Sequence, residues 1–198
     1  VVIDLTQGSD AWKEWRRLGV GGSDAPIILG LSKYMTRQEL LEEKITGVSK
    51  RKNDFVLEKG HEFEAKIRAK YELTTDGDFP PTCFQSDVLE WLRVSLDGYN
   101  RDTNTAWEIK WVGKNNVHVE ISPSHYCQCQ HELMVSGASQ VLLLRGNTAD
   151  DIDEQIIKPN IEYQKMLMIV ESNFVKELKK GVKAISKVGT RPNTASVQ

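Results

Sequence analysis

Two short stretches carry residue types on which a reaction could be built. Ser95-Leu96-Asp97-Gly98 is followed, after a polar gap, by Trp107-Glu108-Ile109-Lys110. Asp97 is expected to end one strand. Glu108 and Lys110 lie two apart on the next, so strand alternation sends both side chains to the same face. Where the strands meet, two carboxylates and one ammonium converge, and Glu64 on an upstream helix adds a third carboxylate. Phosphodiester hydrolysis calls for this mixture. Hard oxygen ligands hold Mg2+, and two metals ~3.5–4 Å apart can serve both the attacking and the leaving oxygen. A lysine beside them can orient the water, deprotonate it if its own pKa is depressed, or offset phosphate charge. The Ile109 carbonyl, between Glu108 and Lys110, is a further candidate ligand. Taken alone, Asp-Gly is a common hairpin turn and Glu-x-Lys a common solvated face. The apolar Val94, Leu96, Ile109 and Val112 around them place these charges at the edge of a buried sheet.

The elements that must position these groups follow from caps and periodicity. Ser9 or Asp10 can cap a helix running to Leu18, which the Gly-Val-Gly-Gly stretch at 19–22 breaks. Ser23 or Asp24 can cap a short second helix ending near Gly30. Thr36-Arg37-Gln38-Glu39 has the form of a capping box, so a third helix is expected to about Gly47. The polar stretch 48–54 reads as a loop. Val56, Phe63, Ile67, Ala69 and Leu73 recur at roughly helical spacing, predicting a long amphipathic helix that carries Glu62 and Glu64. Strands are expected at 83–88, 91–96 and 105–112, with Asp97-Gly98 and 100–104 as turns. A helix over 125–135 is closed by Gly137. Strands follow at 140–144 and 152–157, then a long helix over 161–185. This order predicts one α/β (α+β) domain, residues 1–186, with a central mixed β-sheet flanked by helices and a flexible tail at 187–198.

Composition sets outer bounds. The 198 residues suffice for one core, and 39% hydrophobic with 27% charged residues is an ordinary soluble balance. No apolar run approaches the ~18 residues of a membrane span, and Val1–Gln7 lacks the pattern of a secretory signal. The first residue is not Met, so preceding residues are expected. The net charge of −2 means that any grip on nucleic acid must come from local patches, a metal or enclosure of the strand. Cys83, Cys127 and Cys129 lack a metal-ligand spacing and are expected as reduced thiols. His61, His118, His125 and His131 have no paired spacing, so no catalytic histidine is expected. Most of the five Trp residues, Trp107 and Trp111 in particular, are expected in the core.

Five segments together resemble the lambda exonuclease or YqaJ-type viral recombination nucleases of the PD-(D/E)XK superfamily. They are Trp15-Arg16-Arg17-Leu18-Gly19-Val20-Gly21-Gly22-Ser23-Asp24, Gly60-His61-Glu62-Phe63-Glu64, Ser95-Leu96-Asp97-Gly98, Glu108-Ile109-Lys110 and Tyr126-Cys127-Gln128-Cys129-Gln130-His131. The resemblance spans roughly residues 10–145. It implies a single PD-(D/E)XK domain in which Asp97 and Glu108 bind metal, Lys110 is the catalytic lysine and Glu64 is the acid from the preceding helix. Gln128 matches a helical glutamine abutting the active site. Arg17 and Ser23 match a phosphate-binding pair, with Arg16 able to replace Arg17. Asp87 falls where such proteins can carry another acid. The usual proline before the first metal-binding acid is Leu96 here, and the chain is somewhat short, so loops around a DNA channel are expected to differ.

The same resemblance implies a 5′-to-3′ exonuclease acting on double-stranded DNA ends and releasing mononucleotides. It implies two Mg2+ ions per site, replaceable by Mn2+, a ring-shaped homotrimer, and a phage-type single-strand annealing protein as partner in homologous recombination. The setting would be the cytoplasm of a bacterial host, with a phage or prophage gene and no membrane association. The alternatives are an endonuclease of the same superfamily, which has no use for a terminal-phosphate pocket, and a DNA-end-binding module that has lost catalysis.

Overall fold

The computed structural model describes residues 1–49, 54–74 and 77–189. The expected loop at 48–54 and tail at 187–198 therefore fall partly outside the described residues, at 50–53 and 190–198.

Helices dominate the first third, for reasons visible in their caps. Helix α1 (Asp10–Arg17) begins where Ser9 Oγ accepts a hydrogen bond from the Trp12 N–H. The single turn α2 (Ala25–Ile28) has no side-chain cap, so neither Ser23 nor Asp24 plays the capping role expected of it. Helix α3 (Arg37–Thr46) opens on a complete Thr36–Glu39 capping box and closes on Gly47, whose φ of 73° suits glycine. Helix α4 (Asp54–Thr74) then runs the length that its periodicity predicts and buries Phe63 and Ile67.

The strands divide into two hydrogen-bonded sheets in place of the one expected. Strands β1 (Val2–Ile3), β2 (Thr82–Gln85) and β3 (Arg93–Leu96) form an antiparallel sheet in that order. Strands β4 (Gly98–Asn100), β5 (Thr105–Trp111), β6 (Gln140–Thr148) and β7 (Asp151–Ile157) form the second. In it β5 and β6 run parallel, as a helical crossover requires, and the other pairs are antiparallel. That crossover is α5 (Pro123–Ser136), capped by Ser122 and closed by Gly137.

Strand alternation sorts the core into layers. Ala106, Val141 and Leu143 pack with Cys129 and Leu133 of α5. Ile109 and Leu144 pack on the other side, against Phe63 and Ile67 of α4. The last helix, α6 (Ile161–Gly189), closes a third cluster through Phe174, Val175 and Leu178 against α2 and α3. It runs past the boundary expected at 186.

Two departures have direct physical causes. Asp97-Gly98 is no hairpin turn. The chain passes from β3 into β4 through a single-residue bend at Asp97, the joint between the sheets. Gly98 is closely packed there: a Cβ would sit 3.0 Å from the Phe79 carbonyl and 3.1 Å from the Trp107 ring, tighter than side chains usually approach. The turn lies at 101–104, where Asn104 adopts φ 48°. Strand β6 also outlasts its apolar run. Arg145 continues it fully buried, with Asp153 on β7 and the carbonyls of Val119 and Glu120 accepting from its two terminal nitrogens, while its Nε has no partner among the described residues. Trp107 is buried as expected, stacked on Phe79, while Trp111 is only partly buried.

Candidate active site

Residues from α1, α4, α5, β3 and β5 and from the segments after α1 and β3 line one cavity of about 340 Å³, among them Glu64, Asp97, Glu108, Ile109, Lys110 and Gln128. Strand alternation on β5 places Glu108 and Lys110 side by side, with Lys110 Nζ 2.5 Å from Glu108 Oε1. Gln128, on α5, donates from Nε2 to the same Oε1 at 2.5 Å. Glu108 is thus buried, yet one of its oxygens is twice hydrogen-bonded. Asp97 reaches the same centre from the joint between the sheets, where its Oδ2 accepts the Ile109 N–H at 2.8 Å.

Glu64 arrives from α4 with Arg68 one turn behind it. Arg68 lies 3.4 Å from Glu64 Oε1, and donates to the backbone carbonyls of Phe79 and Asp97. It straps α4 to the joint. The sequence reading did not single it out, although its i+4 spacing from Glu64 was the available signal.

The electrostatics suit a divalent cation. Burial, with the negative charges of Glu108 and Glu64, pushes the Asp97 carboxyl well above the usual carboxylate range. Burial also disfavours charge on Lys110, but the carboxylates of Glu108 and Asp97 outweigh it and raise its pKa above that of a free lysine. Lys110 is therefore held as an ammonium by its carboxylate neighbours. Hard oxygens crowded beyond what one lysine can neutralise are the donor set that Mg2+ or Mn2+ prefers. Among the described residues no three His, Cys, Asp or Glu side chains form a ready cage.

The opposite wall is the segment that follows α1. Val20 bridges to Leu92 in parallel, and this holds residues 19–23 against the start of β3. Asp24 Oδ2 accepts the Gly21 N–H at 2.8 Å and pairs with Lys44 at 2.8 Å, both side chains buried. Ser23 lines the cavity as expected. Its hydroxyl accepts from Arg16 Nη2 at 2.7 Å, and the Arg16 guanidinium sits over the Trp12 ring.

Arg17 does not join this group. It points into a neighbouring pocket, where it forms a bidentate pair with Glu14 and donates to the Lys44 carbonyl at 2.9 Å. The cavity-facing arginine is Arg16, since successive helical residues point ~100° apart. Two of the three glycines of this segment, Gly19 and Gly22, are crowded by protein atoms. A Cβ on Gly19 would lie 2.6 Å from Arg93 and from the Trp91 carbonyl, and one on Gly22 would lie 3.1 Å from Glu132. Asp87 lies apart as well, exposed and paired with the Val1 ammonium. Trp12, Trp15, His61 and Trp111 line the cavity too, and only Trp111 had been weighed individually, as core.

Comparison with known proteins fits this arrangement. A family model described as the YqaJ-like viral recombinase domain matches residues 11–139. The chain belongs to that family. Residues 11–139 include all the cavity residues named above. Among solved structures, the chain resembles an alkaline exonuclease (LHK-Exo) from Laribacter hongkongensis at 19% identity and a TM-score of 0.73, covering 91% of this chain and 98% of that one. The same exonuclease has been solved in complex with dAMP. A phage-related exonuclease from Haemophilus somnus 129PT matches at 13% identity and a TM-score of 0.58, covering 86% of this chain and 96% of that one. These likenesses establish a shared fold. No curated protein sequence matches the chain significantly.

Proposed function

We propose that this YqaJ-like domain is a divalent-metal-dependent exonuclease that degrades one strand of linear duplex DNA from its 5′ end to mononucleotides. The observation that carries the reading is the convergence of Glu64, Asp97, Glu108, Lys110 and Gln128 on one cavity whose opposite wall presents Arg16 on Ser23. Family membership and the shared exonuclease fold support it.

In this reading Asp97, Glu108 and Glu64, with the Ile109 carbonyl, hold Mg2+, two ions per site, with Mn2+ as a substitute. The metal offsets phosphate charge and acidifies water. Lys110, kept protonated by its carboxylate neighbours, orients the attacking water and stabilises charge on the phosphate. Gln128 fixes the Glu108 carboxylate. Arg16 and Ser23 receive the terminal 5′-phosphate through charge-assisted hydrogen bonds, the role first assigned to Arg17. Water oxygen bonds to phosphorus as the P–O3′ bond breaks, and O3′ leaves with a proton. A nucleoside 5′-monophosphate departs, and the shortened strand again ends in a 5′-phosphate, ready for the same pocket.

The family's description as a viral recombinase supports recombination by strand annealing, with a phage-type annealing protein as partner, and expression in the cytoplasm of a bacterial host. A homotrimer around DNA belongs to the same reading. No described helix is long and apolar enough to cross a membrane. The test uses end-labelled linear duplex and closed circular DNA with Mg2+ and then with EDTA. Loss of the linear form alone, abolished by EDTA, is expected. Cutting of the circle would make the protein an endonuclease, and intact DNA of both forms would make it a binding module.

A further inference from the structure

Behind the cavity, α5 carries a second acid one turn beyond Gln128. Glu132 is fully buried, and its Oε1 accepts from Gln128 Nε2 at 2.9 Å. Its other oxygen, Oε2, has no hydrogen-bond partner among the described residues. The Gly22 backbone lies over it, so close that a Cβ there would stand 3.1 Å from Oε1 and 3.5 Å from Gln128 Cγ.

A buried carboxyl with an unpartnered oxygen is costly, and its bond to Gln128 shows what it does. A side-chain amide nitrogen has two N–H bonds. Gln128 directs one to Glu108 Oε1 and the other to Glu132 Oε1. Turned over, the amide would set its carbonyl oxygen against both carboxylates. Glu132 thereby fixes which way the amide faces, and the amide fixes Glu108.

We propose that Glu132 is a positioning residue that acts through Gln128 to hold the Glu108 carboxylate in its metal-binding orientation. This rests on the nuclease reading above. The Glu132 carboxyl also lies against that of Glu108 itself, so the test must separate the route through residue 128 from a direct one.

The experiment is a double-mutant cycle on Glu132→Met and Gln128→Met, with two readouts. These are kcat and KM on linear duplex at saturating Mg2+, and Mn2+ affinity by calorimetry without DNA. Glu132→Met is expected to lower kcat and weaken Mn2+ about 10-fold, the lower end for groups that orient metal ligands, while KM for DNA stays unchanged. In the Gln128→Met background the same change should cost nothing further. Glu132→Gln, whose carbonyl accepts the same bond, should behave as wild type. Should Glu132→Met fail to fold, Glu132→Asp withdraws the acceptor by one methylene and asks the same question. Equal losses in both backgrounds, or wild-type values for both non-accepting variants, would overturn the proposal. If the wild type binds Mn2+ but leaves DNA uncut, the nuclease reading fails and the Mn2+ cycle still decides the coupling. If it does neither, both fail.

Discussion

The cavity has two walls built on different principles. One wall is strand: β5, paired with β6 along its length and with β4 as far as Trp107, projects Glu108 and Lys110, and the Asp97 side chain is tied to it through the Ile109 N–H. The other wall is helix end and loop, residues 16–23, fixed by the Val20 bridge and the buried Asp24–Lys44 pair. The strand wall gathers negative charge and one ammonium; the loop wall offers a guanidinium and a hydroxyl. Under the proposed function the first serves reaction and the second recognition, so damage to each wall should show in a different kinetic quantity.

The largest effect belongs to the strand wall. Asp97→Ala and Glu108→Ala are each expected to reduce cleavage by roughly 10³-fold or more, with circular dichroism and melting showing an intact fold. Substantial turnover in either purified variant would remove that residue from the site.

Lys110→Ala separates charge from coordination within the same wall. Cleavage should drop by roughly 10²–10³-fold, as for loss of one group stabilising transition-state charge, while calorimetry finds Mg2+ still bound. Loss of metal binding together with activity would place Lys110 in support of the ligands.

The loop wall should change preference more than rate. Wild type is expected to digest a 5′-phosphorylated duplex faster than its 5′-hydroxyl counterpart. Arg16→Ala should shrink that rate ratio by about 10-fold, the worth of ~1.5 kcal/mol in a charged hydrogen bond. Arg17→Ala should leave the ratio unchanged and cost at most ~1 kcal/mol of stability through its Glu14 pair. A ratio that follows Arg17 instead of Arg16 would reverse the assignment.

These two arginines also show what was legible in the sequence. A strand repeats every two residues, so Glu108 and Lys110 could be placed on one face without knowing anything else, and the structure puts them in contact. Caps were readable at α1 and α3, where Ser9 and Thr36 with Glu39 act locally, as do both closing glycines, but not at α2. A one-residue choice near a helix end rotates a side chain by ~100°, and only tertiary packing against Lys44 and Ser23 decides it. Asp97-Gly98 misled for a related reason. The pair has the chemistry of a turn, but its glycine answers to Phe79 and Trp107, contacts that no local pattern displays. Glu132 and Arg68 were hidden because a charged residue on a helix ordinarily faces water.

The smallest effect tests the support behind the strand wall. His131 on α5 is buried between Glu171 of α6 and the Arg93 carbonyl of β3, at 2.8 Å from each. Burial disfavours its charge, but Glu171 outweighs that and raises the imidazole above its usual value. Stability from this pair is therefore full below the unfolded histidine pKa of about 6.5 and is lost as pH rises through the higher folded value. Denaturant midpoints should show wild type losing roughly 1 kcal/mol more than Glu171→Gln between about pH 6 and pH 9. Equal pH slopes would mean that His131 is held neutral.

The joint at Asp97 has a consequence for how the molecule fails under heat. The chain passes there from one hydrogen-bonded sheet to the other, and the Ile109 amide is spent on the Asp97 side chain. Such a seam can part while both sheets keep their own ladders, because proteins open in cooperative units of unequal free energy. Deuterium should then enter at Ile109 sooner than at its neighbours on β5, and activity should decay before the helical signal does. Thermal inactivation would mark the parting of two intact halves.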